Sequence, residues 1–257
     1  MNTTNANQTL GFDKFSECNY NLHWSFSNFN RMLMAAGQIA QLPYHSKVLE
    51  LGAGTSDLEN LVKKNFKRDD IEFVKIDGDV QYESDESISV FDITSDECAA
   101  FCRNSGPFDA VVFMEVIEHL NNKNAEFVLN VIYAVLKNEG MMILTTPTPP
   151  YNKFYENRVW PHDHEFEYDL RELEVLLNKN FKINKKIGWS LEEREFNELL
   201  STNSDLAMVY TKLRSAFPES YIRAIIASLA PVEANRQVLV ICKKRRARSY
   251  GRFTQTR

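Results

Sequence analysis

From residue 46 onward, short uninterrupted apolar runs alternate with longer stretches in which apolar residues recur at helical spacing. Ser46–Leu51 (SKVLEL), Ile71–Ile76 (IEFVKI), Ile88–Phe91, Asp109–Met114 (DAVVFM) and Met141–Thr145 (MMILT) read as strands. Leu58–Phe66 and Ala125–Leu136 read as helices, the second stopping near Gly140, which reads as a C-cap signal. A helix over Asp169–Lys179 and strands over Phe181–Ile187 and Gln237–Cys242 complete the series. Apolar strands separated by amphipathic helices predict an α/β fold: a doubly wound, mostly parallel seven-stranded sheet covered on both faces.

Two segments fall outside this alternation. Phe26–Leu42 reads as one helix placed to cover a site, and residues 190–234 read as a mostly helical insertion before the last strand. Within the insertion, Leu206–Leu213 and Ile222–Leu229 carry apolar residues at i, i+3 and i+4, which suits a lid over the site or a dimer interface equally well. The expected plan is an N-terminal helical segment (1–45), a main domain (46–242) containing the insertion, and a basic tail (243–257).

Composition narrows the class. The chain has 257 residues, 44% hydrophobic and 25% charged, which is ordinary for a globular protein with a full core. Cys18, Cys98, Cys102 and Cys242 form no CxxC pair and no disulfide framework, so reduced thiols in a cytoplasmic setting are expected. The polar start MNTTNANQTLGFDKF offers no signal-peptide core, and no apolar run approaches the ~18 residues of a membrane span. Although the net charge is −5, the stretch from Lys243 to Arg257 holds seven cationic side chains and no acid. That tail is either a solvated end or a contact for a phosphate-bearing partner such as nucleic acid.

Candidate chemistry gathers where the strands end, the edge at which doubly wound sheets bind ligands. The first strand runs into Glu50-Leu51-Gly52-Ala53-Gly54-Thr55-Ser56, and glycines there let backbone approach a ligand closely. Asp77 ends the second strand, where a carboxylate can accept both hydroxyls of a ribose. Phe91-Asp92-Ile93 and Phe108-Asp109-Ala110-Val111-Val112 follow in order. This series resembles the motifs of class I S-adenosylmethionine-dependent methyltransferases over roughly residues 46–190. The resemblance implies that Glu50, Gly52 and Gly54 hold the methionine part of the cofactor, Asp77 its ribose and Asp92 its adenine. Ser56 departs from the family's usual third glycine.

The fourth strand leads into Met114-Glu115-Val116-Ile117-Glu118-His119-Leu120. In a helical turn, Glu115, Glu118 and His119 would share one face, a donor set able to hold a divalent cation. His162 and His164 follow the fifth strand on the same edge, among Tyr151, Phe154, Tyr155, Trp160, Phe166 and Tyr168, rings that serve as packing or as the wall of a planar substrate. E-x-x-E-H followed by T-T-P and H-D-H-x-F-E resembles two branches of the family, the small-RNA 3′-terminal 2′-O-methyltransferases and the ubiquinone-pathway O-methyltransferases. That resemblance implies Mg²⁺ or Mn²⁺ on Glu115, Glu118, His119 and His164, with His162 as rival for the last place. The imidazole that is not a ligand, His162 or His164, would act as catalytic base. Metal-free methyltransferases also carry E-V-I-E-H-L, with the first Glu, here Glu115, beside the cofactor. The expected activity is O-methylation of a diol-bearing small molecule, sugar or terminal nucleotide. The alternatives are a metal-independent N- or C-methyltransferase and a catalytically silent cofactor-binding regulatory subunit.

Overall fold

The computed structural model describes residues 22–54, 57–149 and 164–245. An N-terminal helix α1 (Leu22–Ile39) precedes β1 (Lys47–Leu51), α2 (Asp57–Phe66), β2 (Glu72–Asp77) and β3 (Ile88–Val90). Then come α3 (Asp96–Ser105), β4 (Phe108–Met114), a 3₁₀ turn at Ile117–His119, α4 (Asn122–Val135) and β5 (Leu136–Pro147). The last third runs α5 (Leu170–Leu177), β6 (Phe181–Ser190), α6 (Glu193–Thr202), α7 (Ser204–Leu213), α8 (Glu219–Leu229) and β7 (Gln237–Lys244).

The seven strands form one sheet in the order β3-β2-β1-β4-β5-β7-β6. Only β7 runs antiparallel to its neighbours β5 and β6; the other pairings are parallel. Alternation along the strands splits the core. Leu49, Val111, Phe113 and Leu144 face α3, α4 and α5, whereas Val48, Ala110, Val112 and Ile143 face α1 and α2. Both faces are dry, which is why these strands are apolar without interruption. The insertion adds a small core of its own from Leu191, Phe196, Leu206, Ile222 and Ile226, and α8 packs on α1 and β6.

Local chemistry fixes the element ends. Ser95 Oγ accepts the N–H of Cys98 to start α3, and Asp169 with Glu172 forms a capping box on α5. Gly140 does not cap a helix. The α4 helix ends at Val135, and Gly140 lies within β5 where its register against β4 shifts. A Cβ at Gly140 would come 2.9 Å from the Lys137 carbonyl oxygen, so close backbone approach explains the glycine. The N-terminal helix begins earlier than its apolar spacing suggested and ends at Ile39, Gln41 and Leu42 forming a turn.

The strand order reverses between β1 and β4, which makes the carboxyl edge of those strands the expected crevice. β7 starts on this edge, Gln237 pairing with Pro147, and finishes at the far edge, Lys243 pairing with Met141. The basic tail therefore departs from the side opposite the crevice, and residues 246–257 lie outside the described residues.

Candidate active site

The glycine loop leaves β1 through two left-handed residues, Gly52 at φ +76° and Gly54 at φ +52°. The N–H groups of Gly52 and Ala53 both donate to the Ile76 carbonyl, at 2.8 and 3.0 Å, tying the loop to the end of β2. A Cβ on Gly52 would lie 2.4 Å from Val116 Cγ2, so the loop is pressed against the chain that follows β4. At Gly54 the nearest neighbour of such a Cβ is the Tyr82 hydroxyl, 3.9 Å away. Asp77 receives the Gly54 N–H on Oδ2 at 2.8 Å and the Asp79 N–H on Oδ1 at 2.9 Å. Asp92 accepts from the Thr94 N–H and hydroxyl through Oδ1, at 2.9 and 2.8 Å.

Glu50 is buried beneath this loop, and its Oε2 has no hydrogen-bond partner among the described residues. Burial pushes its carboxyl up to about 8, with Lys75 opposing the rise. Lys75 stands opposite Glu50 in the register but spends its ammonium on Glu59, 2.7 Å, and Ser87 Oγ, 3.0 Å. Thr55 and Ser56 lie outside the described residues.

Beyond β4 the expected single helical face does not form. Glu115 sits at φ +53° and its N–H still donates to the Thr145 carbonyl of β5 at 2.9 Å, so sheet pairing holds it out of the 3₁₀ turn. Its carboxylate pairs with Arg31 of α1 at 3.3 Å. Glu118 points into the protein, 1% exposed, and accepts from the Thr146 hydroxyl at 3.1 Å. Burial, with the Glu115 charge nearby, pushes its carboxyl up to about 9. The Glu118 carbonyl accepts the N–H groups of Glu165 and Phe166, at 2.8 and 3.0 Å, which brings the loop after β5 onto this turn.

That clamp places His164 against His119, their rings edge to face with centroids 4.9 Å apart. Ligand atoms of Glu118, His119 and His164 all lie within 4.8 Å of one another, and Glu115 is not part of this group. His164 Nδ1 is 2.9 Å from Glu167 Oε1, and the other oxygen of Glu167 accepts from Arg236 at 3.0 Å. Glu167 was legible as the acid three residues after His164; Arg236, 72 positions after His164 in the sequence, carried no local signal. His162 and the rings of Tyr151, Phe154, Tyr155 and Trp160 lie outside the described residues. Phe166 and Tyr168 pack on each other with centroids 4.6 Å apart, and the Tyr168 hydroxyl donates to Asn122 at 2.7 Å.

A cavity of about 750 Å³ opens onto the trio. α1 contributes Asn28 and Arg31, α8 contributes Arg223, and the start of β7 contributes Gln237. The Arg31 guanidinium lies over the Trp189 ring, 5.5 Å from its centroid.

A family model described as "Methyltransferase domain" matches residues 22–209. Among solved structures, an S-adenosylmethionine-dependent methyltransferase from Archaeoglobus fulgidus superposes with a TM-score of 0.51 at 19% identity, over 88% of this chain and 100% of that one. The small RNA methyltransferase HEN1 gives 0.56 at 12% identity, over 86% of this chain and 25% of HEN1. The [4+2]-cyclase SpnF gives 0.53 at 16% identity, over 85% and 82%. At these identities the likeness is one of fold. No curated protein matches the chain in sequence.

Proposed function

The chain belongs to the methyltransferase-domain family and is an S-adenosylmethionine-dependent methyltransferase, and on that premise we propose that it methylates a hydroxyl oxygen with the help of a divalent cation. The acceptor is a diol-bearing small molecule, sugar or terminal nucleotide. When bound, the cofactor supplies a methyl group activated on a sulfonium centre. Glu50, Gly52, Gly54, Asp77 and Asp92 would hold it, since they line the adjacent carboxyl ends of β1, β2 and β3. The unpartnered Glu50 oxygen and the tight glycine loop fit such a ligand.

The observation that carries the metal-assisted reading is the convergence of Glu118, His119 and His164 beside the cavity. One carboxylate and two imidazoles suit Mn²⁺ better than Mg²⁺, which prefers oxygen ligands. When bound, the cation supplies Lewis acidity that lowers the pKa of a substrate hydroxyl. Glu167 lies 2.9 Å from His164 Nδ1 and, by accepting from it, would orient the ring with Nε2 turned to a ligand or a proton. Arg236 in turn fixes Glu167. Such a supporting carboxylate is what a ligand or base imidazole needs to keep its orientation. Glu115 would join the site only by leaving Arg31. His162 stays the rival for His164's place as ligand, and the imidazole outside the ligand set is the proposed base.

A second reading, metal-independent N- or C-methylation, is favoured by one observation. Glu118 is buried, bonded to Thr146 and held neutral near pH 7, as a structural acid would be. Chelation separates the two. The metal-assisted account expects activity on a diol substrate to fall at least about 100-fold in EDTA and to return with Mn²⁺. Activity unchanged by EDTA would reject it. A nucleic-acid acceptor would be recruited by the basic tail, a reading supported by the fold shared with HEN1 and by the cationic run itself.

A further inference from the structure

The side chains that line the cavity around the trio carry an excess of unmet hydrogen bonds. Of the eleven buried side-chain polar atoms without a partner among the described residues, six belong to residues lining this one cavity. Three are acceptors: Asn28 Oδ1, Glu115 Oε1 and Gln237 Oε1. Three are donors: Arg31 Nε, Arg223 Nε and Arg236 Nη1. Folded proteins leave few such atoms, because each forfeits its hydration without compensation, so a cluster of them marks a place where something else supplies the bonds.

The equal mixture of donors and acceptors constrains what that is. A phosphate or ionised carboxylate only accepts, so it would answer the guanidiniums and leave three oxygens unmet. It would also meet Glu115, Glu167, Glu192 and Glu193, four carboxylates that outnumber the three arginines on the same lining. An ammonium only donates and fails on the arginines. A hydroxyl does both. We propose that this wall is a subsite for an uncharged, polyhydroxylated portion of the acceptor, a glycosyl or polyol group whose hydroxyls bridge the arginines to Asn28, Glu115 and Gln237. The inference rests on reading the cavity as the acceptor site. It gives α1 and the insertion a task, since Asn28 and Arg31 come from the first and Arg223 from the second. These elements would choose the substrate while the sheet edge performs the reaction.

Calorimetric titration of the full chain, loaded with S-adenosylhomocysteine and free of added metal, tests this. The probes are p-nitrophenyl β-D-glucoside, p-nitrophenyl β-D-galactoside and methyl β-D-riboside, with p-nitrophenyl β-D-glucuronide as the anionic counterpart of the first. At least one uncharged glycoside is expected to bind, and the glucuronide about tenfold more weakly than the glucoside or worse. Asn28→Leu and Gln237→Leu should each weaken glycoside binding about three- to tenfold, with unchanged S-adenosylhomocysteine affinity reporting an intact fold. The proposal is overturned if no glycoside binds, if the glucuronide binds as well as the glucoside, or if both variants bind like wild type. Binding of this kind stands even where no diol is methylated, so this inference and the proposed reaction fail on different readouts.

Discussion

Gly52→Ala is expected to lower folding stability by about 2–5 kcal/mol and to abolish cofactor binding. Two costs add. The residue stands at φ +76°, where an L side chain costs roughly 1–2 kcal/mol. Its Cβ would then sit 2.4 Å from Val116 Cγ2, well inside contact distance, on a β-branched side chain with little rotamer freedom. Relief requires the loop or the chain after β4 to shift, an overpacking cost of about 1–3 kcal/mol. Gly54→Ala is the internal control: φ is also positive, but the space is open, so about 1–2 kcal/mol is expected. Urea denaturation with a parallel cofactor titration measures both effects. A Gly52→Ala midpoint equal to wild type would mean that the loop is not packed as described.

The ligand-free protein is expected to lose stability as pH rises from about 5 to about 8, by about 3–5 kcal/mol from Glu50 alone. Burial desolvates the charged form of this carboxyl; Glu59, Asp57 and Asp77 add repulsion, while Lys75 works against both. The folded group therefore holds its proton up to about 8, whereas in the unfolded chain it ionises near the ordinary carboxyl value of 4.5. Between those limits the folded state binds the extra proton, so its contribution is complete below about 4.5 and is lost as pH climbs through about 8. Glu118, raised to about 9, acts in the same direction over a wider window. Urea midpoints at about pH 6 and about pH 8.5 for wild type and Glu50→Gln read this directly, since the amide keeps the shape and removes the titration. The variant should show a shallower pH slope. A slope equal to wild type would place the buried proton elsewhere.

The sheet was legible because its strands are buried on both faces. Runs such as DAVVFM cannot alternate apolar with polar when α1 and α4 both pack on them, and that makes them visible. The glycine loop, Asp77 and Asp92 were legible for a similar reason, each being tied to the end of a recognisable strand. Local pattern misleads where a contact distant in sequence sets the conformation. Glu115 looked like the first residue of a helical turn, but its N–H is claimed by Thr145 of β5 and its carboxylate by Arg31 of α1. Gly140 looked like a helix stop, yet a register shift against β4 explains it. The arginines of the cavity come from positions 31, 223 and 236, gathered only by folding. No spacing rule joins such residues.

The fold by itself does not fix the reaction, since a [4+2]-cyclase shares it. We propose that the crevice over β1, β2 and β3 binds S-adenosylmethionine through the glycine loop and Asp77, and calorimetric titration of the cofactor into wild-type and Asp77→Ala protein is the decisive measurement. Wild type should bind saturably and the variant about 100-fold more weakly or worse, since it gives up a half-buried carboxylate and frees Gly54 from its anchor. A well-folded wild-type protein that takes up no S-adenosylmethionine, or an Asp77→Ala protein that binds it equally well, would rule this cofactor site out.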